Sequence, residues 1–521
     1  MGHAGKGTKL RRVVIVLGDQ LDATSAAFDG FDQAQDAVLM MEVREEASYI
    51  PQHKRRLAFF FAAMRHFRDA QREAGRRVHY SELDDPSNRG SLAAEIVRWT
   101  AITRPDSLVA LEPGDFRVRR LLEDAARSLS VPLDVRRDRH FLCAADQFQD
   151  FLRTHSPLLL ENFYRFMRMN LRILIDDRGE PVGGKWNYDH QNRARMGRGA
   201  PAIPSPRRFP PDATTREVLA LVEREFPDSP GRLDDFGLPV SREQALAALD
   251  DFVGHRLINF GRYQDAMRTG EPVLFHSMLS GPLNLHLLNP REVIDRALNA
   301  LDSAPLPAVE GFVRQIIGWR EFVRGIYVHL MPDYAARNAL AADLPAPRFL
   351  WTGATDMRCV AEAVGHTVEH AYAHHIERLM VLGQLCLLLG VRPYDVHRWH
   401  MSMFWDAIDW VSLPNVLGMS QHADGGLIGT KPYCASGNYI ARMSDYCRRC
   451  RYDPRKASGD DACPFTTLYW DFLARHRARF QHNQRMRYSY MNLARKDRGE
   501  LSAIRRRAEH LQRQFTRETF L

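Results

Sequence analysis

Short apolar runs alternate with amphipathic stretches over the first 140 or so residues of the chain. Five of these runs are typical of buried strands, at residues 13–17, 37–41, 77–80, 108–111 and 133–135. The stretch from 54 to 74 repeats its apolar residues at helical spacing. Strands that alternate with helices predict a doubly wound parallel sheet, so we expect an α/β domain over residues 11–145.

The pattern changes after a proline-rich segment in the middle of the chain. Residues 201–211 contain five prolines, which cannot continue a helix or a central strand. We therefore expect a linker region over residues 146–235. Further on, helical periodicity dominates in the stretches 242–269, 290–302, 308–327, 361–389 and 393–412. The last part of the chain, residues 236–521, is thus predicted to be an all-α domain.

Composition excludes a disordered or membrane-spanning protein. With 521 residues, 45% hydrophobic and 26% charged, the chain suits two or three globular domains. Its longest nearly apolar run, residues 379–391, is too short to cross a bilayer, and the run at 13–17 is too brief for a signal peptide. We expect a cytoplasmic monomer with no membrane partner.

The excess of positive charge is concentrated near the C-terminus. Residues 475–507 contain eleven basic and two acidic residues, whereas the rest of the chain has 61 basic and 62 acidic residues. Aromatic residues interleave with the arginines of this segment, which suits contact with the phosphates of a nucleic acid. The members we expect to matter are Arg475, Arg477, Arg479, Arg485 and Arg487 with Phe480, Tyr488 and Tyr490.

Three late cysteines have the spacing of a metal site. Cys447, Cys450 and Cys463 form a C-x2-C-x12-C pattern, in which the two-residue gap lets both thiolates face one centre. The free candidates for a fourth ligand are Cys143, Cys359, Cys386 and Cys434. Four thiolates suit either zinc or a four-iron four-sulfur cluster, and three unrelated buried thiols are the alternative.

A second metal motif occurs in the helical half. His366, Glu369 and His370 match H-x-x-E-H, a zinc signature of metalloproteases, and His374 follows one turn later on the same predicted face. The motif keeps a zinc-dependent hydrolase open as a distant alternative. A polar-lined helix face explains the same residues without a metal.

Several segments of the helical half are too polar and too aromatic for a simple core. They lie at residues 276–280, 315–322, 351–355, 374–378 and 406–410, followed by Asn415. Hydroxyl groups near a helix start bind phosphates, and an arginine paired with aspartates can grip a polar ring edge. Together these segments indicate a large cofactor with phosphates at one end and a heteroaromatic ring at the other.

In these blocks the chain resembles the photolyase/cryptochrome superfamily, and most closely its prokaryotic (6-4) photolyase branch that carries an iron–sulfur cluster. The resemblance runs from Val13 to about Arg479. It also includes the blocks at 18–21, 42–49, 183–187, 371–375 and 413–420, and the late cysteines.

The resemblance implies FAD in the helical domain, with the adenine folded toward the isoalloxazine. The residues it places around the cofactor are Tyr263, His276, Ser277, Leu279, Ser280, Asn284, Gln315, Arg320, Arg378, Asp406, Asp409 and Asn415. It also selects Cys359 as the fourth cluster ligand beside Cys447, Cys450 and Cys463, and iron–sulfur over zinc.

The N-terminal domain of this branch holds the antenna chromophore 6,7-dimethyl-8-ribityllumazine at its sheet edge. The matching positions are Gly18, Asp19, Gln20, Leu21, Met41, Glu46 and Tyr49. The first strand ends in Gly18-Asp19-Gln20-Leu21, so the chain lacks the glycine-rich dinucleotide fingerprint at this point.

The implied activity is light-driven repair of (6-4) photoproducts in UV-damaged DNA. Reduced FAD injects an electron into a lesion flipped out of the duplex, and the lesion is then protonated, cleaved and returned to normal bases. His375 matches the family's catalytic histidine, a proton donor, and His374 is its neighbour. A cryptochrome-type blue-light photoreceptor with the same cofactors is the alternative.

Electron transfer to the flavin is assigned by the resemblance to Trp399 and Trp351. The chain departs from the family pattern at three positions: Leu379 replaces a second histidine of eukaryotic enzymes, His400 an expected tyrosine and Ser412 an expected glutamate. The loss of a carboxylate at 412 is expected to change the stability of the flavin radical.

Overall fold

The N-terminal part of the chain forms a five-stranded parallel sheet. The computed structural model describes residues 9–197 and 199–516. The strands are β1 Arg12–Ile15, β2 Asp36–Met41, β3 Val78–Ser81, β4 Ser107–Leu111 and β5 Leu133–Arg136, in the order β3-β2-β1-β4-β5. The doubly wound sheet that the sequence predicts is confirmed, with every neighbouring pair parallel.

Helices cover both faces of this sheet, which explains its apolar strands. All six residues of β2 are buried, as expected where both faces are packed. The crossover helices are Arg44–Ser48, Lys54–Glu73, Leu92–Thr103 and Phe116–Leu129. The carboxyl ends of β1 and β4 lie side by side where the strand order reverses, which is the position of ligand sites in such sheets.

The predicted linker region contains regular structure as well as coil. It includes helices Ala145–Thr154, Leu160–Leu171 and Ala213–Glu225, whereas the proline-rich residues 201–211 form neither helix nor strand. The domain boundaries at 145 and 235 stay predictions.

The rest of the chain is helical, which confirms the fold class. Its α-helices are Arg242–His255, Leu257–Tyr263, Ser280–Asn284, Pro290–Leu298, Leu306–Val313, Glu321–Leu330, Phe349–Thr352, Arg358–His370, His375–Glu377, Gln384–Leu389, Pro393–Met403, Asp409–Pro414, Gly437–Met443, Pro464–Arg475, Arg477–Phe480, Arg487–Leu493 and Arg498–Thr516. Among the described residues, no helix has the length and apolar character that a membrane span needs.

Two long predicted helices are interrupted. The stretch 361–389 breaks at Ala371, whose φ of 53° is left-handed, and a new helix begins at His375. The stretch 393–412 breaks between Met403 and Asp409. Residues at both interruptions, among them Ala373 and Asp406, contribute to the site described below.

Three π-helical segments lie within the polar blocks. They are Arg314–Arg320, Arg378–Gly383 and Asn415–Ser420, each of which continues directly into an α-helix or out of one. A π-helical turn rotates the following side chains relative to a regular helix and is frequent at functional sites. Arg378 and Asn415 are the first residues of their segments, and Gln315 is the second residue of its segment.

Candidate functional site

The centre of the candidate site is a charged pair between Arg378 and Asp406. The guanidinium nitrogens donate to the two Asp406 oxygens at 3.0 and 3.2 Å, and Nε donates to the carbonyl of Ala373 at 2.6 Å. Ser280 donates to Asp406 at 2.6 Å, and the amide of Asn284 donates to the Asp406 carbonyl at 2.8 Å. Four residues of the predicted cofactor set thus meet in one hydrogen-bonded network.

His375 is the first residue of the short helix His375–Glu377, which directly precedes Arg378. Its side chain is exposed, yet surrounding protein lowers its pKa to about 4, with the nearby Arg378 charge as the second cause. His375 is therefore neutral at physiological pH and lies close to the Arg378 guanidinium.

Two further histidines lie behind His375. The rings of His276 and His374 stack at 4.7 Å with an angle of 11° between their planes. Burial lowers the pKa of His276 to about 3 and that of His374 well below its usual value. Nε2 of His276 and both ring nitrogens of His374 are buried without a hydrogen-bond partner among the described residues. Such orphaned polar atoms fit a site that a polar ligand completes.

The other predicted cofactor residues of the helical domain divide into two groups. Tyr263 packs on Phe275, Leu279 is buried next to Ser277, and Asn415 donates to the Val411 carbonyl within its own helix. Arg320 and Asp409 bond elsewhere: Arg320 donates to Glu321, whereas Asp409 accepts from Tyr327 and contacts His397. Gln315 donates to the Gly311 carbonyl. The structure thus brings together part of the predicted set and gives Arg320 and Asp409 other partners.

Aromatic side chains lead from the Arg378–Asp406 pair toward the predicted electron-transfer tryptophans. The Arg378 guanidinium lies 3.9 Å from the ring centre of Phe404, and Phe404 contacts Trp399 edge to face at 5.5 Å. The indole of Trp399 donates to the carbonyl of Leu350, the residue before Trp351. The two predicted tryptophans therefore lie on adjoining segments.

The two departures in this region are buried. Nε2 of His400 and the hydroxyl of Ser412 have no hydrogen-bond partner among the described residues, and burial lowers the pKa of His400 well below its usual value. His400 is thus neutral, and a small hydroxyl occupies the position where the family pattern has a carboxylate.

A second polar cleft lies at the carboxyl edge of the sheet. Burial raises the pKa of Asp19 to about 7, and Asp115 and Glu46 contribute further negative charge. Burial and the neighbouring Asp409 raise the pKa of Asp115 to about 6. The Tyr49 side chain is 44% exposed, although burial raises its pKa. Asp19, Glu46 and Tyr49 of the predicted antenna set meet here.

The remaining predicted antenna positions are buried or hydrogen-bonded to the backbone beside this cleft. Gln20 donates to the Glu112 carbonyl at 3.1 Å, and Leu21 and Met41 are buried. At Gly18 a Cβ would come within 2.9 Å of the Met64 sulfur, so the position has no room for a side chain.

Sequence reasoning missed Asp115, Arg117 and Arg56 at this cleft. Arg117 donates to both Glu46 oxygens at 2.7 Å and lies over the Tyr49 ring at 5.0 Å. Arg56 is buried, and its side chain donates to the Ala407 carbonyl of the helical half. The position of Asp115 just after β4 was the available signal, because the ends of adjacent parallel strands share an edge.

The four predicted metal cysteines line one recess. Cys359, Cys447, Cys450 and Cys463 surround it together with Met357, Ile440, Tyr446 and Phe465. Burial and the three neighbouring thiols raise the pKa of Cys359 well above its usual value. At Gly437 a Cβ would lie 2.7 Å from the Cys463 sulfur, so only glycine leaves this side of the recess open. Cys143, Cys386 and Cys434 do not line it.

No three His, Cys, Asp or Glu side chains in residues 9–197 and 199–516 are arranged to bind a single metal ion. The H-x-x-E-H motif accordingly forms no zinc site there: Nδ1 of His366 faces Glu377 at 3.1 Å, and Glu369 points to solvent. The expectation that His374 continues the same helix face is wrong, because the helix ends at His370.

The basic segment is only partly as expected. Arg475, Arg477, Arg479, Arg485 and Arg487 are exposed, and so is Tyr488 at 80%. Phe480 and Tyr490, however, are buried, because both lie on the inner face of short helices that pack on Pro464–Arg475. The surface is therefore mainly cationic, with one exposed aromatic ring.

The chain is similar to known proteins over most of its length. Residues 14–238 match the model of the family described as "Deoxyribodipyrimidine photo-lyase-related protein". The (6-4) photolyase of Agrobacterium fabrum is 47% identical over 490 residues, which cover 93% of this chain and 96% of that protein.

Two solved structures show the same fold. A bacterial class III photolyase from Agrobacterium tumefaciens superposes with a TM-score of 0.55 at 14% identity, covering 84% of this chain and 87% of its own. A Synechocystis cryptochrome gives 0.51 at 13% identity, with 85% and 89% covered. With the near full-length 47% relative, these results show that the chain belongs to the (6-4) photolyase branch of the photolyase/cryptochrome superfamily.

Proposed function

We propose that this protein is a light-driven DNA lyase that reverses (6-4) pyrimidine–pyrimidone photoproducts. The observation that carries the proposal is the 47% identity to a (6-4) photolyase over nearly the whole of both chains. The position of His375 supports it, since a repair enzyme needs a proton donor that a flipped nucleotide can reach, and this side chain is exposed next to Arg378. A photoreceptor needs no such donor, so the photolyase function is favoured over the cryptochrome one.

The hydrogen-bonded network around Arg378 and Asp406 is the proposed FAD site. When bound, FAD supplies the photoexcited electron that opens the lesion. Ser280 and Asn284 fix Asp406, and Asp406 fixes the Arg378 guanidinium at a position suited to a polar ring edge. The unpartnered nitrogens of His276 and His374 are available to further polar groups of the ligand.

In the proposed reaction His375 holds and delivers the proton. His375 is neutral at physiological pH, so it first takes up a proton from water, which its exposed side chain reaches. The negative charge that develops on a reduced lesion raises the basicity of the ring when the two are close. The nearby charge of Arg378 opposes protonation of the ring and so favours release of the proton to the lesion.

The cysteine recess is the proposed site of a four-iron four-sulfur cluster. Four thiolates hold either zinc or such a cluster, and the resemblance to the iron–sulfur branch favours the cluster. The four cysteines line a common recess. Cys359, Cys447, Cys450 and Cys463 are the proposed ligands.

The sheet-edge cleft is the proposed antenna site for 6,7-dimethyl-8-ribityllumazine. Asp19, Glu46 and Tyr49 offer hydrogen-bonding groups for a ribityl chain and a ring edge, and Arg117 orders Glu46. The cleft adjoins the helical half, because a Cβ at Gly114 would lie 2.7 Å from Trp410. A chromophore here is therefore close to the flavin domain.

The decisive experiment illuminates the holoprotein, with reduced flavin, in the presence of a duplex that contains one (6-4) lesion. Restored thymines, measured by chromatography of the digested duplex, are expected in the light and not in the dark. His375→Ala is expected to bind flavin and DNA but lose about 100-fold or more in repair. His190→Ala, at an exposed histidine outside the basic segment, is the matched control. If the DNA is bound but its lesion stays unrepaired in the light, the repair function is contradicted and the photoreceptor function is the one that is left.

The cluster proposal is tested by Cys450→Ser. Because a cluster held by four cysteines fastens three chain segments together, this change is expected to lower the yield of folded protein and its iron content. Cys386→Ser, at a buried cysteine outside the recess, is expected to keep the iron. Full iron content in Cys450→Ser, or none in the wild type, rules the cluster out.

A further inference from the structure

Glu377 is buried between the cysteine recess and the stacked histidines. It has no exposed surface and lies in the short helix His375–Glu377. Tyr446, which lines the cysteine recess, donates its hydroxyl proton to Glu377 Oε1 at 2.6 Å. A carboxylate at this depth needs partners, because an unpaired buried charge is costly.

The second partner is His366, from the preceding helix. Its Nδ1 lies 3.1 and 3.3 Å from the two Glu377 oxygens. Although burial lowers it, the pKa of His366 is raised overall by the hydrogen bond and charge of Glu377. Glu377 thus joins three segments of the chain, which carry His366, Tyr446 and His375.

Oε2 of Glu377, which lies 3.3 Å from Nδ1 of His366, also faces His374. Oε2 lies 3.8 Å from Nε2 of His374, which is too long for a hydrogen bond but close enough for a strong electrostatic effect. His374 is fully buried, and its ring is stacked on His276. A carboxylate beside one ring nitrogen of a neutral imidazole favours the tautomer with its proton on that nitrogen.

We propose that Glu377 is a positioning residue for the catalytic histidines: it holds the proton of His374 on Nε2 and, through Tyr446, connects that ring to the segment that carries Cys447. The free Nδ1 lone pair of His374 is then left as an acceptor on the other side of the ring. The inference rests on the proposed function, in which His375, the neighbour of His374, delivers the proton.

The test is Glu377→Gln in the holoprotein. The glutamine amide keeps the shape of the glutamate side chain and an oxygen that accepts from Tyr446. Its NH2 group, however, donates a hydrogen bond, so it favours an unprotonated Nε2 on His374. The measurement is the NMR spectrum of 15N-histidine-labelled protein, in which the signals of His374 are those missing from His374→Gln. In Glu377→Gln the ring proton of His374 is expected to move from Nε2 to Nδ1. Repair is expected to fall about tenfold or more while flavin and iron contents stay the same.

Glu362→Gln is the matched control. Glu362 lies 3.6 Å from Nε2 of His366, on the side away from Glu377. The change removes a carboxylate from the same histidine and is expected to leave the His374 resonances and repair near their wild-type values. A shift of these resonances in both variants would assign the effect to His366 and overturn the proposal.

Unchanged His374 resonances in Glu377→Gln also overturn the proposal, whatever happens to repair. Should Glu377→Gln lose its flavin, Tyr446→Phe is the second variant, because it removes a single hydrogen bond from Glu377. It is expected to shift the His374 resonances, and unchanged His374 resonances in Tyr446→Phe also count against the proposal. If the wild type does not repair the lesion but Glu377→Gln still moves the ring proton of His374, the proposed function is refuted and the positioning role is kept.

Discussion

Burial decides how the acids of the sheet-edge cleft ionise. Asp19, with its pKa raised to about 7, changes charge within the physiological range, whereas an exposed aspartate does not. Because the folded protein holds this proton more tightly than the unfolded chain, the stabilisation from Asp19 is complete below about pH 4 and is lost as the pH rises through about 7.

Asp19→Asn is therefore expected to flatten the pH dependence of stability. In the wild type without chromophore, the free energy of unfolding should fall by about 1–2 kcal/mol between pH 5 and 8 from this residue alone, and the asparagine variant should not show that fall. The unfolding midpoint in denaturant, measured across this pH range, checks it. Asp177→Asn, at an exposed aspartate, is the control. Parallel curves for wild type and Asp19→Asn would show that Asp19 is not the titrating group.

At the scale of single elements, the five-residue helix Ser280–Asn284 shows how tightly the candidate site is packed. The helix places Ser280 and Asn284 on Asp406, and its glycine, Gly281, lies directly against the buried ring of Trp405. A Cβ at this position would overlap that ring. Glycine is thus needed here for close approach.

Gly281→Ala is expected to destabilise the protein by about 2–3 kcal/mol, since Trp405 has no space to move into. Flavin is expected to dissociate more readily, because the displaced helix carries two groups that hold Asp406. Thermal unfolding and flavin retention on gel filtration measure the two effects. Gly254→Ala, in a helix with nothing within 4 Å of the added methyl group, should instead stabilise by about 0.5–1 kcal/mol. Equal behaviour of the two variants would mean that packing at 281 is unimportant.

Elements with strong local patterns were predictable from the sequence, and departures set by tertiary contacts were not. The five strands and the helix Lys54–Glu73 follow their hydrophobic pattern. The break at Ala371 has no local signal, because alanine favours helix and its left-handed conformation is imposed by the surrounding fold.

The candidate site shows the same division. Ser280, Asn284, Arg378 and Asp406 are far apart in sequence, and only the family pattern grouped them before the structure did. Asp115 and Arg117 were missed because their role arises from the cleft that they share with Asp19. Phe480 and Tyr490 suggested an aromatic surface, but the packing of their short helices buries both rings.

For the molecule as a whole, charge is distributed so that one surface is strongly cationic. The exposed arginines 477, 479, 485 and 487 have few acidic neighbours in sequence, whereas arginines around the N-terminal sheet are commonly paired, as Arg127 is with Asp124. A duplex bound at the cationic surface releases counterions for each phosphate that is neutralised.

Arg485→Ala and Arg487→Ala are each expected to weaken DNA binding and to reduce the slope of log K against log salt by about 1. Fluorescence anisotropy with a labelled duplex, between about 50 and 200 mM salt, measures both quantities. Arg127→Ala removes an exposed arginine near the N-terminal sheet and should leave the slope of log K against log salt unchanged. A slope that is unchanged in the two C-terminal variants would place the DNA elsewhere on the protein.

The sheet-edge cleft has a consequence for how the protein is made. Its acids come from the first part of the chain, but Gly114 lies against Trp410 and Arg56 reaches the Ala407 carbonyl, so one wall is built from residues synthesised much later. Domains generally fold in the order in which they leave the ribosome. A nascent N-terminal domain therefore presents only half of this cleft, so the proposed uptake of a chromophore there would be a late step in biogenesis and would report that the two halves of the protein have docked correctly.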